Sequence, residues 1–299
     1  MPIDTAAAER TFASDRATQF IDIISPRDYD AVAKRLRKFF ANLGFVESST
    51  QQRMRPPLAR LAACENPHSI MPVSFLGDTL PLPQTGQMWL EHDLLRDPSL
   101  PGLFCMTTSY RNERDPQPGR HNLIFPMFEF ETHGGIERLR YILEELLVFL
   151  GIVRHHQDVT TVDYERSADT YGVQEIGDAE EKRLCQELGP AVLLSRFPEH
   201  TSPFWNMRRG PDGKAEKIDV LMPIETIGSA ERSCDPEDMW QRFHTITDGA
   251  YAQALFERFG EKETLDELRY FLSLKFFERC GGGIGITRLV QAMKQRGLL

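Results

Sequence analysis

From Asp28 to Asn42 apolar residues fall at Val32, Leu36, Phe39 and Phe40, which lines one face of a helix, and Gly44 follows as a stop. Phe45 and Val46 then open a strand. From Arg53 to Pro83 the prolines Pro56, Pro57, Pro67, Pro72, Pro81 and Pro83 leave room only for loop and short extended pieces. Leu103 to Tyr110 and Ile124 to Glu131 read as strands, the second alternating through Phe128-Glu129-Phe130-Glu131. The polar loop Arg111 to Asn122 joins them as a hairpin with a long tip. Gly135 to Leu150 places Leu139, Ile142, Leu143, Leu146, Leu147 and Leu150 on one helical face. The pattern weakens over 160–200, where a helix is expected from Asp178 to Leu188. A strand over Lys217 to Met222 and helices over Pro236 to Phe259 and Leu265 to Phe277 follow. Last comes the glycine-rich strand Cys280-Gly-Gly-Gly-Ile-Gly-Ile-Thr-Arg288, running into a short final helix. Strands and helices mix without regular alternation, so the expected fold class is α+β rather than doubly wound.

Composition narrows this little. With 299 residues, 41% hydrophobic and 26% charged, the chain can bury one large core or two small ones. No apolar run approaches the ~20 residues that span a bilayer, and Met1 to Arg16 lacks the apolar stretch of a secretory signal. Five scattered cysteines without C-x-x-C spacing read as reduced thiols of a cytoplasmic protein, with no structural zinc expected. The net charge is -9, and acids interleave the arginines nearly everywhere. A long nucleic-acid interface draws its affinity from a basic stripe, so the charge gives no positive reason to propose one, though it is compatible with a local tRNA contact.

Two segments carry chemistry. Tyr110-Arg111-Asn112-Glu113, Gly119-Arg120-His121 and Phe125-Pro-Met-Phe-Glu129-Phe-Glu131 put arginines at the base and tip of a hairpin and an aromatic on its return strand. Guanidinium groups match phosphate oxygens and an aromatic face stacks on a base, so this hairpin can grip a nucleoside triphosphate; a charged tip solvated by water fits the same residues. The glycines Gly281, Gly282, Gly283 and Gly285 let a backbone approach a ligand, with Arg288 opening the next helix. A tight strand crossing is the plainer reading, and too little chain follows for a dinucleotide-binding unit.

In this order the two segments resemble class II aminoacyl-tRNA synthetases, closest to the asparaginyl/aspartyl branch and its free-standing archaeal asparagine synthetase-like paralogues. Arg111 and Glu113 stand where that family's second motif has Arg-x-Glu, Arg120-His121 match its loop, Phe125 its adenine-stacking Phe, and Arg288 the arginine of its third motif. Thr85-Gly86-Gln87-Met-Trp-Leu-Glu91 looks like its substrate element, and the run from Asp219 through Glu225 and Gly228 to Arg232 looks like its metal and substrate segment. The resemblance spans roughly 28–294. It implies the class II synthetase fold, a central antiparallel sheet flanked by helices, over 28–299, with 1–27 as an amino-terminal extension and no anticodon-binding domain.

It also implies roles. Arg111 holds the α-phosphate and the reacting carboxylate, where charge develops. Glu113 accepts from the adenine amino group; Arg120, His121 and Arg288 clamp the outer phosphates; Phe125 and Arg288 sandwich the adenine; Gly283 and Gly285 approach the nucleotide. Asp219 and Glu225 hold Mg²⁺, hard carboxylate ligands for a hard cation. Thr85, Gln87, Glu91 and Arg232 bind the amino acid. ATP is the expected cosubstrate and no general base is required. A first-motif dimer is implied, although Gln51 stands where the family has Pro; Gly228-Ser229 replaces Gly-Gly, and Thr287 an acid. Leu90 occupies the position of the lysine that aspartate-using members carry, and Glu91 follows, which points to asparagine or another side chain with a donor; Arg232 alone serving aspartate is the competing reading. The expected activity is an adenylate-forming ligase passing a small amino acid to ammonia or a small amine. Transfer to tRNA or a carrier protein, and a non-catalytic sensor of amino acid or ATP, are the alternatives.

Overall fold

The computed structural model describes residues 19–62, 65–116 and 122–299. A helix α1 (Pro26–Asn42), capped by the Ser25 side chain accepting from Asp28 N, leads through Gly44 at φ +83° into the short strand β1 (Val46–Glu47). A hairpin β2 (Pro72–Phe75) and β3 (Asp78–Pro81) and a helix α2 (Gln87–Arg96) precede β4 (Gly102–Tyr110) and β5 (Ile124–His133). After α3 (Ile136–Leu150) come β6 (Thr160–Asp163), α4 (Tyr164–Tyr171), α5 (Asp178–Leu188), β7 (Val192–Phe197), β8 (Ala215–Leu221) and β9 (Glu225–Glu231). Helices α6 (Pro236–Thr245), α7 (Ala250–Phe259) and α8 (Glu261–Leu272) lie between β9 and β10 (Arg279–Gly285), and α9 (Ile286–Gln295) closes the chain.

The main sheet runs β1-β4-β5-β10-β9-β8-β7-β6, antiparallel except at its edges, where β1 pairs with β4 and β6 with β7 in parallel. This is the expected α+β architecture. Period-2 alternation gives the sheet two different faces. Phe128, Phe130, Ile218, Val220, Ile227 and Ile284 point to one side and pack under α1, α3 and α9 as the main core. Their neighbours Glu129, Glu131, Asp219, Gly281 and Gly283 are left for the other side, where a second apolar cluster under α6–α8 and α2 forms one flank. The N-terminal residues 19–25 are not detached: Phe20 is buried and accepts from Leu123 N at 2.8 Å.

Several expectations shift. The helix read over Leu265–Phe277 begins at Glu261 and ends at Leu272, because Leu274, Phe276 and Phe277 continue the apolar pattern as loop residues packed on the same cluster. The helical stretch Pro236–Phe259 breaks where Thr247 and Asp248 take φ of 52° and 53°. Helix α2 had no amphipathic signal because Met88, Trp89, Leu90, Glu91, Leu94 and Leu95 are all buried. Strands β6, β7 and β9 and helix α4 were likewise unread.

Helix α2 is pinned to the loop after β1 by Asp93, which takes hydrogen bonds from Arg53 Nη1 at 2.7 Å and Ser48 Oγ at 3.0 Å. Burial pushes its carboxyl up, but His92, Arg53 and Ser48 outweigh it and hold it at about 2, below 3.8. A lowered carboxylate stabilises the fold above its unfolded value and loses that contribution as pH falls through its folded value. Asp93→Asn is therefore expected to cost roughly 1–2 kcal/mol at pH 6 and markedly less at pH 3, by urea unfolding of both proteins at both pH values. A gap that does not change with pH would contradict the assignment.

Candidate active site

A cavity of about 350 Å³ opens on the non-core face of the sheet, floored by β10 and walled by β5, β9, α2 and the start of α9. Its floor exists because β10 carries almost no side chains there. Gly281 pairs with Glu131 on one side and Ala230 on the other, and Gly283 with Glu129 and Gly228. A Cβ at Gly281 would collide with Glu131 Oε2 and the Phe130 carbonyl, and one at Gly283 would meet Met127 Cε at 2.8 Å. Bare backbone is what leaves room for the flanking carboxylates.

At one end the hairpin supplies Arg111, at the close of β4, and Phe125, near the start of β5. The Arg111 guanidinium lies 5.3 Å from the Phe125 ring centroid, within 3.4 Å of Glu65 Oε2 and 3.3 Å of Ser109 Oγ. Arg288, in the first turn of α9, donates through Nη1 to the Glu225 carbonyl at 2.5 Å. Arg111, Glu113, Phe125, Gly283, Gly285 and Arg288 all line the cavity. Arg120 and His121 lie outside the described residues.

Asp219 and Glu225 meet over Gly228. A Cβ there would stand 2.9 Å from Glu225 Oε1 and 3.6 Å from Asp219 Oδ1, so both carboxylates crowd one glycine. Asp219 Oδ1 is buried and has no hydrogen-bond partner among the described residues, while Oδ2 accepts from Lys217 Nζ at 2.6 Å. Burial, reinforced by Glu225, pushes the Asp219 carboxyl up against the pull of Lys217. An orphaned buried oxygen beside a second carboxylate fits a hard divalent cation that draws its other ligands from phosphate and water. Among the described residues no group of three or more His, Cys, Asp or Glu side chains is placed to hold a metal alone.

At the other end the amino-acid element is tied to the sheet rather than left free. Glu129 takes hydrogen bonds from Gly86 N at 2.8 Å, Thr107 Oγ1 at 2.5 Å and Thr85 Oγ1; burial raises its carboxyl despite these donors. Gln87 Nε2 donates to the Phe130 carbonyl at 3.0 Å and to Glu131. Arg232 reaches Glu131 Oε2 at 3.3 Å and stands 3.7 Å from Glu91 Oε1. Glu91 is fully buried, with Oε2 held by Arg279 through Nε at 3.1 Å and Nη2 at 2.9 Å and Oε1 by Asn206 Nδ2 at 2.7 Å. The carboxylate expected to read a substrate amide is thus occupied by the protein's own donors. Glu129, Glu131, Asn206, Arg279 and Lys217 carried no role in the sequence reading. The alternating Phe-Glu-Phe-Glu of β5 was the available signal for the first two: period 2 must send both acids to one face.

The protein belongs to the class II tRNA synthetase family, whose domain, described as tRNA synthetases class II (D, K and N), matches residues 9–297. Similar relatives are the cytoplasmic asparagine–tRNA ligase of Debaryomyces hansenii, 25% identical over 68% of this chain and 42% of the relative, and the asparagine–tRNA ligase of Koribacter versatilis, 22% identical over 87% and 62%. The chain therefore spans less than two thirds of the length of these relatives. The fold is shared with asparaginyl-tRNA synthetase from Pyrococcus horikoshii complexed with asparaginyl-adenylate, at TM-score 0.71 and 18% identity over 98% of this chain and 70% of that one. Aspartyl tRNA synthetase from Entamoeba histolytica has TM-score 0.64 at 17% identity over 89% and 54%.

The floor geometry makes a direct prediction. Gly281→Ala should cost at least about 2 kcal/mol, because its new methyl meets a backbone carbonyl that cannot move aside. Gly285→Ala, whose Cβ would have its nearest neighbour at 3.7 Å, should stay within about 1 kcal/mol of wild type. Equal urea midpoints for the two variants would show that the register of β10 is misplaced.

Proposed function

We propose that this protein activates a small amino acid with ATP, forming an aminoacyl-adenylate and pyrophosphate. The observation that carries the reading is one cavity lined by Arg111, Phe125, Arg288, Glu225 and Arg232, with Asp219 beside Glu225 over Gly228. The family's relatives are named as ligases that consume an amino acid, and this arrangement supplies what such a reaction needs. Phe125 and Arg288 bracket the base. Arg111 would hold the point where the amino-acid carboxylate attacks the α-phosphorus, and its single positive charge, shared with Glu65 in the free protein, would meet the negative charge that this step concentrates between carboxylate and phosphate. Mg²⁺ held by Asp219 and Glu225 would add positive charge to the phosphates as pyrophosphate departs. Proton transfer plays no part in bond formation, consistent with a site built from arginines and alignment.

The substrate side chain points at Arg232. Around it two arginines, Arg232 and Arg279, offset two glutamates, Glu91 and Glu131. A balanced subsite favours a neutral side chain, which supports asparagine or a close analogue over aspartate. Glu91 acts here as a positioning residue for Arg279 and Arg232. The acceptor we assign is ammonia or a small amine, supported by the net charge of -9 with acids interleaved among the arginines. Transfer to tRNA is the second reading, favoured by the names of the relatives. Against a silent sensor stands Arg111, whose proposed role falls on the reacting carboxylate rather than on nucleotide binding alone. Self-association runs through α1 and the open edge of β1, where Val46 is 46% exposed.

The decisive assay is exchange of labelled pyrophosphate into ATP with Mg²⁺ and a panel of amino acids. Exchange with asparagine or an analogue above aspartate is expected, and none with any amino acid would overturn the reading. Arg111→Ala should lower turnover at least about 100-fold with the thermal midpoint nearly unchanged, since its contribution falls on the transition state. Product analysis then separates acceptors: AMP release dependent on ammonia or an amine supports our assignment, and alkali-labile label on tRNA defeats it. Light scattering at micromolar concentration should give twice the chain mass; a single-chain mass would remove the dimer.

A further inference from the structure

Lys217 is a cation at the carboxylate pair that nothing in the resemblance calls for. It lies two residues before Asp219 on β8, so the two side chains share the cavity face, opposite Ala230 and Gly228 respectively. Its ammonium is 2.6 Å from Asp219 Oδ2 and 3.9 Å from the centroid of the Phe197 ring, a carboxylate and an aromatic face that hold it between them. The side chain is 21% exposed and borders the cavity, whereas that of Asp219 is 6% exposed. In the free protein, therefore, the positive charge next to Asp219 belongs to the chain itself, and only Oδ1 of Asp219 is uncommitted.

Resting on the ATP reading above, we propose that Lys217 is the resident counter-ion of the Asp219–Glu225 site and a contact for the ATP phosphates. In the free protein its ammonium repels a divalent ion and occupies one of the two Asp219 oxygens. Bound ATP brings phosphate oxygens within reach of a flexible, four-carbon stem, and the ammonium moves to them as a point charge. That move frees Asp219 Oδ2 as negative charge enters the site. A divalent ion then joins together with ATP rather than ahead of it. The structural alternative is an ion pair that only ties β8 to the cavity wall; removing the lysine would lower stability without touching nucleotide affinity.

Equilibrium binding tests this without relying on turnover. Manganese(II) alone, followed by electron paramagnetic resonance of the free ion, should bind wild type weakly and Lys217→Met at least about tenfold more tightly, because a unit charge a few ångströms away is removed. ATP alone, titrated calorimetrically in EDTA, should bind Lys217→Met at least about tenfold more weakly, and Lys217→Arg should recover most of that loss. Thermal melts check folding, and Lys217→Gln replaces the Met variant if that one does not fold. Manganese affinity within twofold of wild type overturns the counter-ion role; unchanged ATP affinity overturns the phosphate contact. Should wild type bind no ATP with or without metal, the ATP reading and the phosphate contact fall together, and the manganese arm still decides the counter-ion role.

Discussion

A buried network of four charges holds the cavity in shape. Glu91 comes from α2, Glu131 from β5, Arg232 from the residue after β9, and Arg279 from the start of β10, with Arg279 and Glu91 separated by 188 residues along the chain. Burying ions is expensive unless their remaining donors and acceptors are met. Here they largely are: Arg279 donates to Glu91 twice, to the Ser233 carbonyl at 3.1 Å and to the Phe277 carbonyl at 3.4 Å, and its guanidinium lies 4.9 Å from the Phe276 ring. Such a network adds little net stability over a packed apolar cluster. What it adds is direction. A guanidinium donates hydrogen bonds only in its own plane, so four distant segments must meet in one register, and Arg232 is presented to the cavity as a consequence.

The phosphate end follows a different logic. Arg111 and Arg288 arrive on the hairpin and on a helix start, both at element ends, and among the described residues each is held by few contacts: Arg111 by Glu65, Ser109 and a ring, Arg288 by one carbonyl. In the proposed reaction such loosely tied cations would follow a triphosphate as it settles, whereas the Arg232 end cannot yield without breaking the buried network. Under that proposal, selectivity for a small side chain would come from the rigid end, and charge neutralisation during a displacement would tolerate the adaptable one.

How much of this was legible depends on whether the signal was local. Strand β10 is marked by its glycines and β5 by its alternation of Phe and Glu, whereas the helices α1 and α3 stand in the hydrophobic period itself, because each has one face in a core and one outside. Helix α2 does not, since burial on all sides erases the period. Strand β7 is hidden for the same reason, being buried along nearly its whole length, whereas β6, the four-residue edge strand beside it, is too short to carry a pattern. For the site, the arginines and glycines were visible as motifs because backbone approach and phosphate binding demand particular residue types at fixed spacing. Glu91 was visible too, but its partners were not. Arg279 and Asn206 are brought to it by folding, and no spacing rule connects positions so far apart.

Glu129 shows how these layers join. It gathers three donors from two elements, Gly86 N and Thr85 Oγ1 at the entry to α2 and Thr107 Oγ1 on β4. Gly86 can approach so closely because a Cβ there would stand 2.6 Å from Thr50 Oγ1 and 2.9 Å from Thr107 Cγ2. The carboxylate thus fixes where α2 begins, which sets Gln87, the first residue of the helix, against Glu131 and Glu91, one turn further on, against Arg279. A buried acid thus sets the positions of the residues proposed to bind the amino acid. Preorganisation of this kind lets a site align a carboxylate with a phosphate without reorganising during the reaction.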